Sequence, residues 1–199
     1  MIYRQYLKRL IDIEVALGLI GLTLPLQVVI ALVLAIMLGP RHILFFQTRI
    51  GRNDKAFRII KFSSLRPAPL GQDPLTLDPR RAFGFGRFLR QTVLDELPQL
   101  YQILIGQMSL IGPRPLLPQY LPLYTAQQRK RHLVRPGITG LAQVRGGNTV
   151  SWEDRFALDV EYVETYSLGL DWQIIVESIQ YLLKASRQQE PDMMEVWKG

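Results

Sequence analysis

Residues Val15 to Leu38, VALGLIGLTLPLQVVIALVLAIML, form 24 consecutive positions without a charge. A helix that crosses a bilayer needs about 20 predominantly apolar residues, so this run is long enough to enter a hydrocarbon core. It exceeds the apolar core of a signal peptide, and no small-residue cleavage site follows it. Whatever else the chain forms must therefore fold beside a membrane segment.

Entering a membrane and crossing it are different things. Pro25 lies inside the run, where it removes a backbone donor and tends to kink a helix. The pieces on either side would be about 15 Å and about 20 Å long at 1.5 Å per residue. Each covers only part of a hydrocarbon core of about 30 Å. Arg4, Lys8 and Arg9 precede the run, and Arg41, Arg49, Arg52, Lys55, Arg58 and Lys61 follow it. Positive flanks prefer the cytoplasmic side. A helix-break-helix hairpin that enters and leaves by one leaflet satisfies both flanks, whereas a kinked bitopic helix satisfies one. The expected organisation is a re-entrant membrane hairpin over residues 1–40 and a cytoplasmic domain over 41–199.

The 199-residue chain carries a formal net charge of +7, which calls for an anionic partner: nucleic acid, an anionic lipid surface or a phosphorylated substrate. It has no cysteine, so disulfide frameworks and thiol chemistry are excluded. Ile43 to Phe62 reads as a β-hairpin turning at Gly51 to Asp54. Pro67 to Pro79 reads as a loop, Leu97 to Leu104 as a buried helix ended by Gly106, and the proline-spaced GPRPLLPQYLP as an extended path. Phe156, Val160 and Val163 mark one amphipathic helix. Trp172, Ile175, Val176, Ile179, Leu182 and Leu183 mark another, and either could pack on the core or lie in the membrane interface. The fold class is mixed α/β, mainly helical with a short β-hairpin, and the amphipathic helices are candidates for the interface.

Within VLDELPQL, Asp95 and Glu96 stand side by side two positions before Pro98. A proline fits the first turn of a helix, and Asp95 then falls at or near the N-cap, where backbone N–H groups favour an anion. That reading needs no catalysis. Arg90 and Arg87 nearby allow a second one: carboxylates that hold a divalent cation, beside arginines that hold phosphate oxygens. A carboxylate can then attack phosphorus, its pKa depressed by metal and arginine so that it stays ionised. Lys61, Arg114 and Arg135 also lie near turns, glycines or prolines, whereas Arg129-Lys130-Arg131 reads as a solvated or membrane-facing patch. Gln143, Arg145 and Asn148 occupy a glycine-rich segment without Walker or Rossmann spacing. His42 and His132 show no metal-ligand spacing and read as structural or surface residues.

KRLID, FQTRIGRNDKAFRIIKF, LDELPQL, GQMSLIGPRP, RPGITGLAQV and WEDRFALDVEYV occur in that order over roughly Tyr3 to Lys184. Together they resemble the small monotopic polyprenyl-phosphate phosphoglycosyl transferases, the bacterial initiating sugar transferases. The resemblance implies transfer of a sugar 1-phosphate from a UDP-sugar to a polyprenyl phosphate such as undecaprenyl phosphate, with Mg²⁺ required and UMP released. It implies that Asp95 is the nucleophile of a covalent phospho-sugar intermediate and that Glu96 helps hold the metal. Lys61, Arg90 and Arg114 match basic positions near the phosphates; Arg135, Gln143, Arg145 and Asn148 are the nucleotide or sugar candidates. It also implies a re-entrant N-terminal helix, a monotopic place on the cytoplasmic face of the inner membrane, contact with phospholipids and no nucleic-acid partner. Self-association into a homo-oligomer stays open.

Two positions depart from the family pattern: Ser63 and Gly147 stand where arginines are expected, with Arg66 and Arg145 nearby. Longer members carry extra helices and a further domain, so this chain is expected to be of the minimal class. The competing reading is a membrane-anchored, non-enzymatic binder of anionic lipid or nucleic acid. It accounts for the charge but not for an acidic pair beside Arg90.

Overall fold

The computed structural model describes residues 2–69, 78–146 and 150–185. Most of the loop expected from Pro67 to Pro79, together with Gly147 and Asn148, lies outside the described residues. A π-helical turn, Tyr3–Leu7, leads into α1, Lys8–Leu38. The helix continues through Pro25 instead of ending there. Thr23 Oγ1 donates to the Leu19 carbonyl at 2.6 Å and accepts from Gln27 Nε2 at 2.9 Å, so side chains supply polar contacts around the proline. Together the helical residues Tyr3–Leu38 form one helix long and apolar enough to cross a membrane.

One stripe of α1 is covered by the rest of the chain: Asp12, Ala16, Gln27, Ile30 and Leu34 are buried. The opposite side is bare, with Leu22 78% and Ile36 86% exposed. Both ends of the helix are tied to the same body. Near its start, the Arg9 guanidinium donates to the carbonyls of Ile103 and Leu104, and Lys8 reaches Asp171 at 2.7 Å. Near its end, Ile30 and Leu34 pack with Phe62, Phe83 and Leu89. Between them, Ala16 meets Ile59, Leu100 and Ile103.

The expected hairpin forms from β1, Leu44–Ile50, and β2, Ala56–Phe62, paired antiparallel with Phe45 opposite Lys61 and Arg49 opposite Phe57. Asn53 and Asp54 both take positive φ in the turn, a conformation that these two residue types tolerate better than most. Next come α2, Gly84–Gln91, and α3, Gln99–Leu104, which stops before Gly106 at φ +83°. Then β3, Ser109–Ile111, pairs in parallel with β4, Gly137–Thr139. That pairing depends on a missing side chain: a Cβ on Gly137 would lie 2.1 Å from the Gly112 nitrogen. The second half of the path expected to be extended, Pro118 to Pro122, forms 3-10 turns that run on to Leu123, and α4, Ala126–Arg129, follows behind a Thr125 capping box.

Two longer helices close the chain, α5, Trp152–Thr165, and α6, Leu168–Ala185. Phe156, Val160 and Val163 are buried as their spacing predicts. In α6 the core-facing residues are Asp171 and Ile174, while Trp172, Val176, Ile179, Leu182 and Leu183 remain exposed. Apart from Ile175, which packs with the cluster of Ile111, Leu141, Tyr162 and Ile174, the apolar stripe read from the sequence is thus the outer face of α6.

Candidate active site

The acidic pair sits on a turn of its own. Val93 adopts a left-handed conformation, φ 57° and ψ 14°, and Leu94–Glu96 then form a 3-10 turn closed by Glu96 N to the Val93 carbonyl at 3.1 Å. The N-cap of α3 is Pro98. The expectation that Asp95 caps this helix is therefore corrected: the break at Val93 moves the acids into a separate turn ahead of it. A β-branched residue at positive φ is strained, and such strain persists only where the surroundings enforce it. Here it carries Asp95 and Glu96 into a buried position.

Three elements bring cations to this turn. Lys61, on the inward face of β2, bonds Glu96 Oε1 through its Nζ. Arg114 approaches the same oxygen at 3.8 Å. Its backbone is fixed by its two flanking prolines, by Arg131 Nη2 donating to the Arg114 carbonyl at 2.8 Å, and by Ile50 N donating to the Leu116 carbonyl at 3.0 Å. Arg131 is in turn held by Asp159, with Nη2 at 2.6 Å and Nε at 3.0 Å. Arg90 comes from α2, where its Nε donates to Ser64 Oγ at 2.8 Å. Gly86 makes that close approach of α2 possible, since a Cβ there would fall 2.3 Å from the Ser64 carbonyl oxygen.

The two acids end in opposite electrostatic states. Burial raises the Asp95 pKa; Lys61 opposes this, Glu96 adds to it, and Arg90 and Arg114 oppose it, leaving a value of about 6. In the protein alone desolvation outweighs Lys61 and the arginines; the depressed value expected from metal and arginine together concerns the site with a cation bound. Burial also pushes Glu96 up, but Lys61 and Arg114, with the hydrogen bond from Lys61, more than offset it and hold that carboxyl below its usual range. Glu96 is committed to its cations. Asp95 accepts no hydrogen bond among the described residues.

That donor set fits Mg²⁺ in one particular way. No group of three or more acidic, histidine or cysteine side chains suited to a metal occurs among the described residues. Magnesium is commonly held by one or two carboxylates, with water and substrate phosphates completing its shell. Asp95 and Glu96 could supply the carboxylates and nothing more, so any cation here would be shared with a phosphorylated ligand.

The bacterial sugar transferase family model matches residues 3–185, nearly the whole chain. The chain belongs to this family. Among its relatives is the sugar transferase EpsL of Bacillus subtilis, itself uncharacterized, at 41% identity over 89% of this chain and 87% of that protein. The UDP-glucose:undecaprenyl-phosphate glucose-1-phosphate transferase of Caulobacter vibrioides is 38% identical over 88% of this chain and 69% of its own length. The undecaprenyl-phosphate galactose phosphotransferase of Salmonella typhimurium is 32% identical over 90% of this chain, which spans only 41% of that protein.

In this sugar transferase the remaining candidates engage other parts of the chain. Arg135 donates from Nε to the Gly106 carbonyl at 2.9 Å, at the end of α3 away from the acids. Gln143 donates to the Ile138 carbonyl at 3.1 Å. Arg145 faces Glu177 at 3.6 Å and Glu161 at 4.0 Å. Asn148 lies outside the described residues. Ser63 is buried, with its N–H donating to the Ile43 carbonyl, and the Arg66 guanidinium lies over the Phe83 ring.

Two residues at or behind the site carried stronger roles than their sequence context suggested. Arg131, read as part of a solvated basic run, is only 2% exposed and buttresses Arg114. Its signal was Asp159, an acid among Phe156, Val160 and Val163 on the buried side of α5. Arg49 counted only as a flanking charge, yet it reaches the field of Arg114 and Glu96. His132 is structural as expected: Nδ1 lies 2.6 Å from Asp54 Oδ1, and burial and Arg131 push its pKa down to about 4.

Proposed function

We propose that this sugar transferase moves a sugar 1-phosphate from a UDP-sugar to a polyprenyl phosphate, giving a polyprenyl-diphosphate sugar and UMP. The observation that carries the reading is the Asp95 carboxyl, buried, without a hydrogen-bond donor among the described residues, and surrounded by the fields of Lys61, Arg90 and Arg114. The printed activities of the Caulobacter and Salmonella relatives support the two substrates. They give no support to a non-enzymatic binder.

In the first half-reaction an Asp95 oxygen forms a bond to the phosphorus that bears the sugar. The bond from that phosphorus to the bridging oxygen breaks, and its electron pair leaves with UMP. In the second, an oxygen of the polyprenyl phosphate attacks the same phosphorus and Asp95 departs as a free carboxylate. Lys61, Arg90 and Arg114 hold phosphate oxygens, and the ion pair with Lys61 keeps Glu96 ionised and fixed. Asp95 and Glu96 would be the residues to hold Mg²⁺, whose chemistry there would be neutralisation of phosphate charge. With a pKa near 6, Asp95 is about nine-tenths ionised at pH 7 and is less weakened as a nucleophile than a carboxylate of lower basicity.

The same reading places the protein monotopically on the cytoplasmic face of the bacterial inner membrane. Contacts from both ends of α1 to one body support a helix whose ends share a side, and the exposed apolar face of α6 supports interfacial contact. A panel of UDP-sugars with undecaprenyl phosphate and Mg²⁺, scored for UMP release, tests the activity. Rapid acid quench and intact-mass analysis tests the intermediate, which should add one phospho-sugar to the wild type and none to Asp95→Asn. Full turnover by that variant would sink the nucleophile assignment.

A further inference from the structure

Arg49 has no part in the scheme above, yet it stands on the sheet face that also carries Lys61. It lies near the end of β1, on the strand face shared by Phe45 and Gln47, and the Phe45–Lys61 register pair puts Lys61 on that face too. Its Nη2 donates to Gln47 Oε1, while its Nε is buried with no hydrogen-bond partner among the described residues. The next residue, Ile50, bonds the Leu116 carbonyl and so ties this end of β1 to the segment that carries Arg114.

The charges around it do not balance. Burial and then Arg114 lower the Arg49 pKa to about 10, with Tyr120 and Glu96 acting the other way. It is still a cation at neutral pH, and the one carboxylate acting on it, Glu96, is already bonded to Lys61 and flanked by Arg114. A desolvated guanidinium with an unused donor is costly to leave unpaired, and a phosphate matches its donor geometry. Lys61, Arg90, Arg114 and Arg49 set four positive charges against two acids. That surplus of positive charge calls for an anionic ligand.

We propose that Arg49, together with Arg114, holds the nucleotide-side phosphate of the UDP-sugar, the group that departs as UMP, while Lys61 and Arg90 hold the phosphate attacked by Asp95. The assignment rests on the transferase reading above. It follows the placement of the groups: Ile50 ties the Arg49 end of β1 to the Leu116 carbonyl, close to Arg114 in the chain, whereas Lys61, opposite Phe45 at the other end of the hairpin, bonds Glu96 beside Asp95. As the bridging bond breaks, negative charge collects on the oxygen leaving with UMP, and two guanidiniums there stabilise it.

The test is equilibrium binding of UMP, with uridine as the phosphate-free control, to the full chain in nanodiscs. Wild type, Arg49→Met and Arg49→Lys are compared, together with the KM for the UDP-sugar. Arg49→Met should weaken UMP binding by about tenfold or more, leave uridine binding within about twofold, and raise KM. Arg49→Lys should recover part of the loss, since it restores charge without the planar fork. If Arg49→Met misfolds, a Lys variant that folds and binds UMP as tightly as wild type overturns the assignment. Equal loss of UMP and uridine binding also overturns it, because that marks a structural role. A wild-type chain that binds no UMP overturns the transferase reading itself, whereas one that binds UMP as well as a folded Arg49→Met overturns only the role of Arg49.

Discussion

Two buried clusters of charge in this protein are completed in opposite ways. Under α1, Lys8 sits between Asp12 and Asp171. Asp12 accepts from Ser109 Oγ at 2.7 Å and from the Leu110 N–H at 3.2 Å. Asp171 accepts from Lys8, from the Tyr3 hydroxyl and from the Tyr162 hydroxyl at 2.8 Å. Burial and Asp171 hold the proton on Tyr162, so it stays a donor. Every carboxylate oxygen in that cluster has a partner. Around Asp95 the cations outnumber the acids, and the Asp95 carboxyl accepts nothing among the described residues. A closed network fastens α1 to the body; an open one is left for a ligand to complete.

Asp95→Asn should separate the two clusters most sharply. Turnover is expected to fall at least about 10³-fold, as for loss of a covalent nucleophile. Stability should move the other way. The folded-state pKa of Asp95 is raised from 3.8 to about 6, so ionising it costs folding free energy as pH climbs through that window. The variant should therefore be more stable than wild type by up to about 3 kcal/mol above pH 6, with the gain vanishing below pH 4. Thermal unfolding in nanodiscs at pH 3.5 and pH 7.5 reads this directly. A variant less stable at pH 7.5 would mean that Asp95 is satisfied in the fold after all.

The closed cluster should behave in the opposite sense. Asp171→Ala removes the nearer carboxylate of Lys8 and the acceptor of the Tyr3 hydroxyl, leaving Lys8 with Asp12 at 3.9 Å and the Tyr162 hydroxyl with the Ile111 carbonyl at 3.1 Å, and is expected to cost about 3 kcal/mol. UMP release per folded molecule should fall far less than in Asp95→Asn. A loss of activity with the melting temperature unchanged would show that this network serves the chemistry and not the docking of α1. Smaller again is the pH dependence of the wild type. With Asp95 as nucleophile, kcat/KM should fall about tenfold per unit as pH drops below about 6, and flatten above it. Asp171→Ala should keep that profile.

How much of this was legible depended on whether the deciding contact was local. Gly106 ends α3 and the Phe156, Val160 and Val163 face is buried because those signals act within one or two turns of chain. Lys61, Arg90 and Arg114 could be named as a group because the family motifs carry them, and the structure gathers them about the acid pair. The rest was decided at long range. Arg131 looks solvated in its basic run, and only its pairing with Asp159 shows that it is a buried strut. Arg49 looks like one more flanking charge, and only the fold of β1 against the Pro115–Leu116 segment brings it to Arg114. The α6 stripe was read correctly as apolar, but its exposure depends on what the remaining chain leaves uncovered. The cap misassignment has a different origin. Pro98 permits a helix start that Asp95 would cap, and nothing in a valine announces a left-handed turn at Val93.

That valine supports the smallest prediction and the finest test of the open cluster. A β-branched residue in the left-handed region costs about 1–2 kcal/mol, which glycine avoids at the expense of greater freedom in the unfolded chain. Asparagine tolerates the conformation while keeping a side chain. Val93→Asn should therefore stabilise the protein by about 1 kcal/mol, and Val93→Gly by less, in denaturant titrations. The two variants should part in activity. If the turn at Val93 is what presents Asp95, glycine loosens it and lowers kcat several-fold, whereas asparagine holds the turn and keeps kcat near wild type. Equal kcat in both would mean that Lys61, Arg90 and Arg114 place the nucleophile without help from the strained turn.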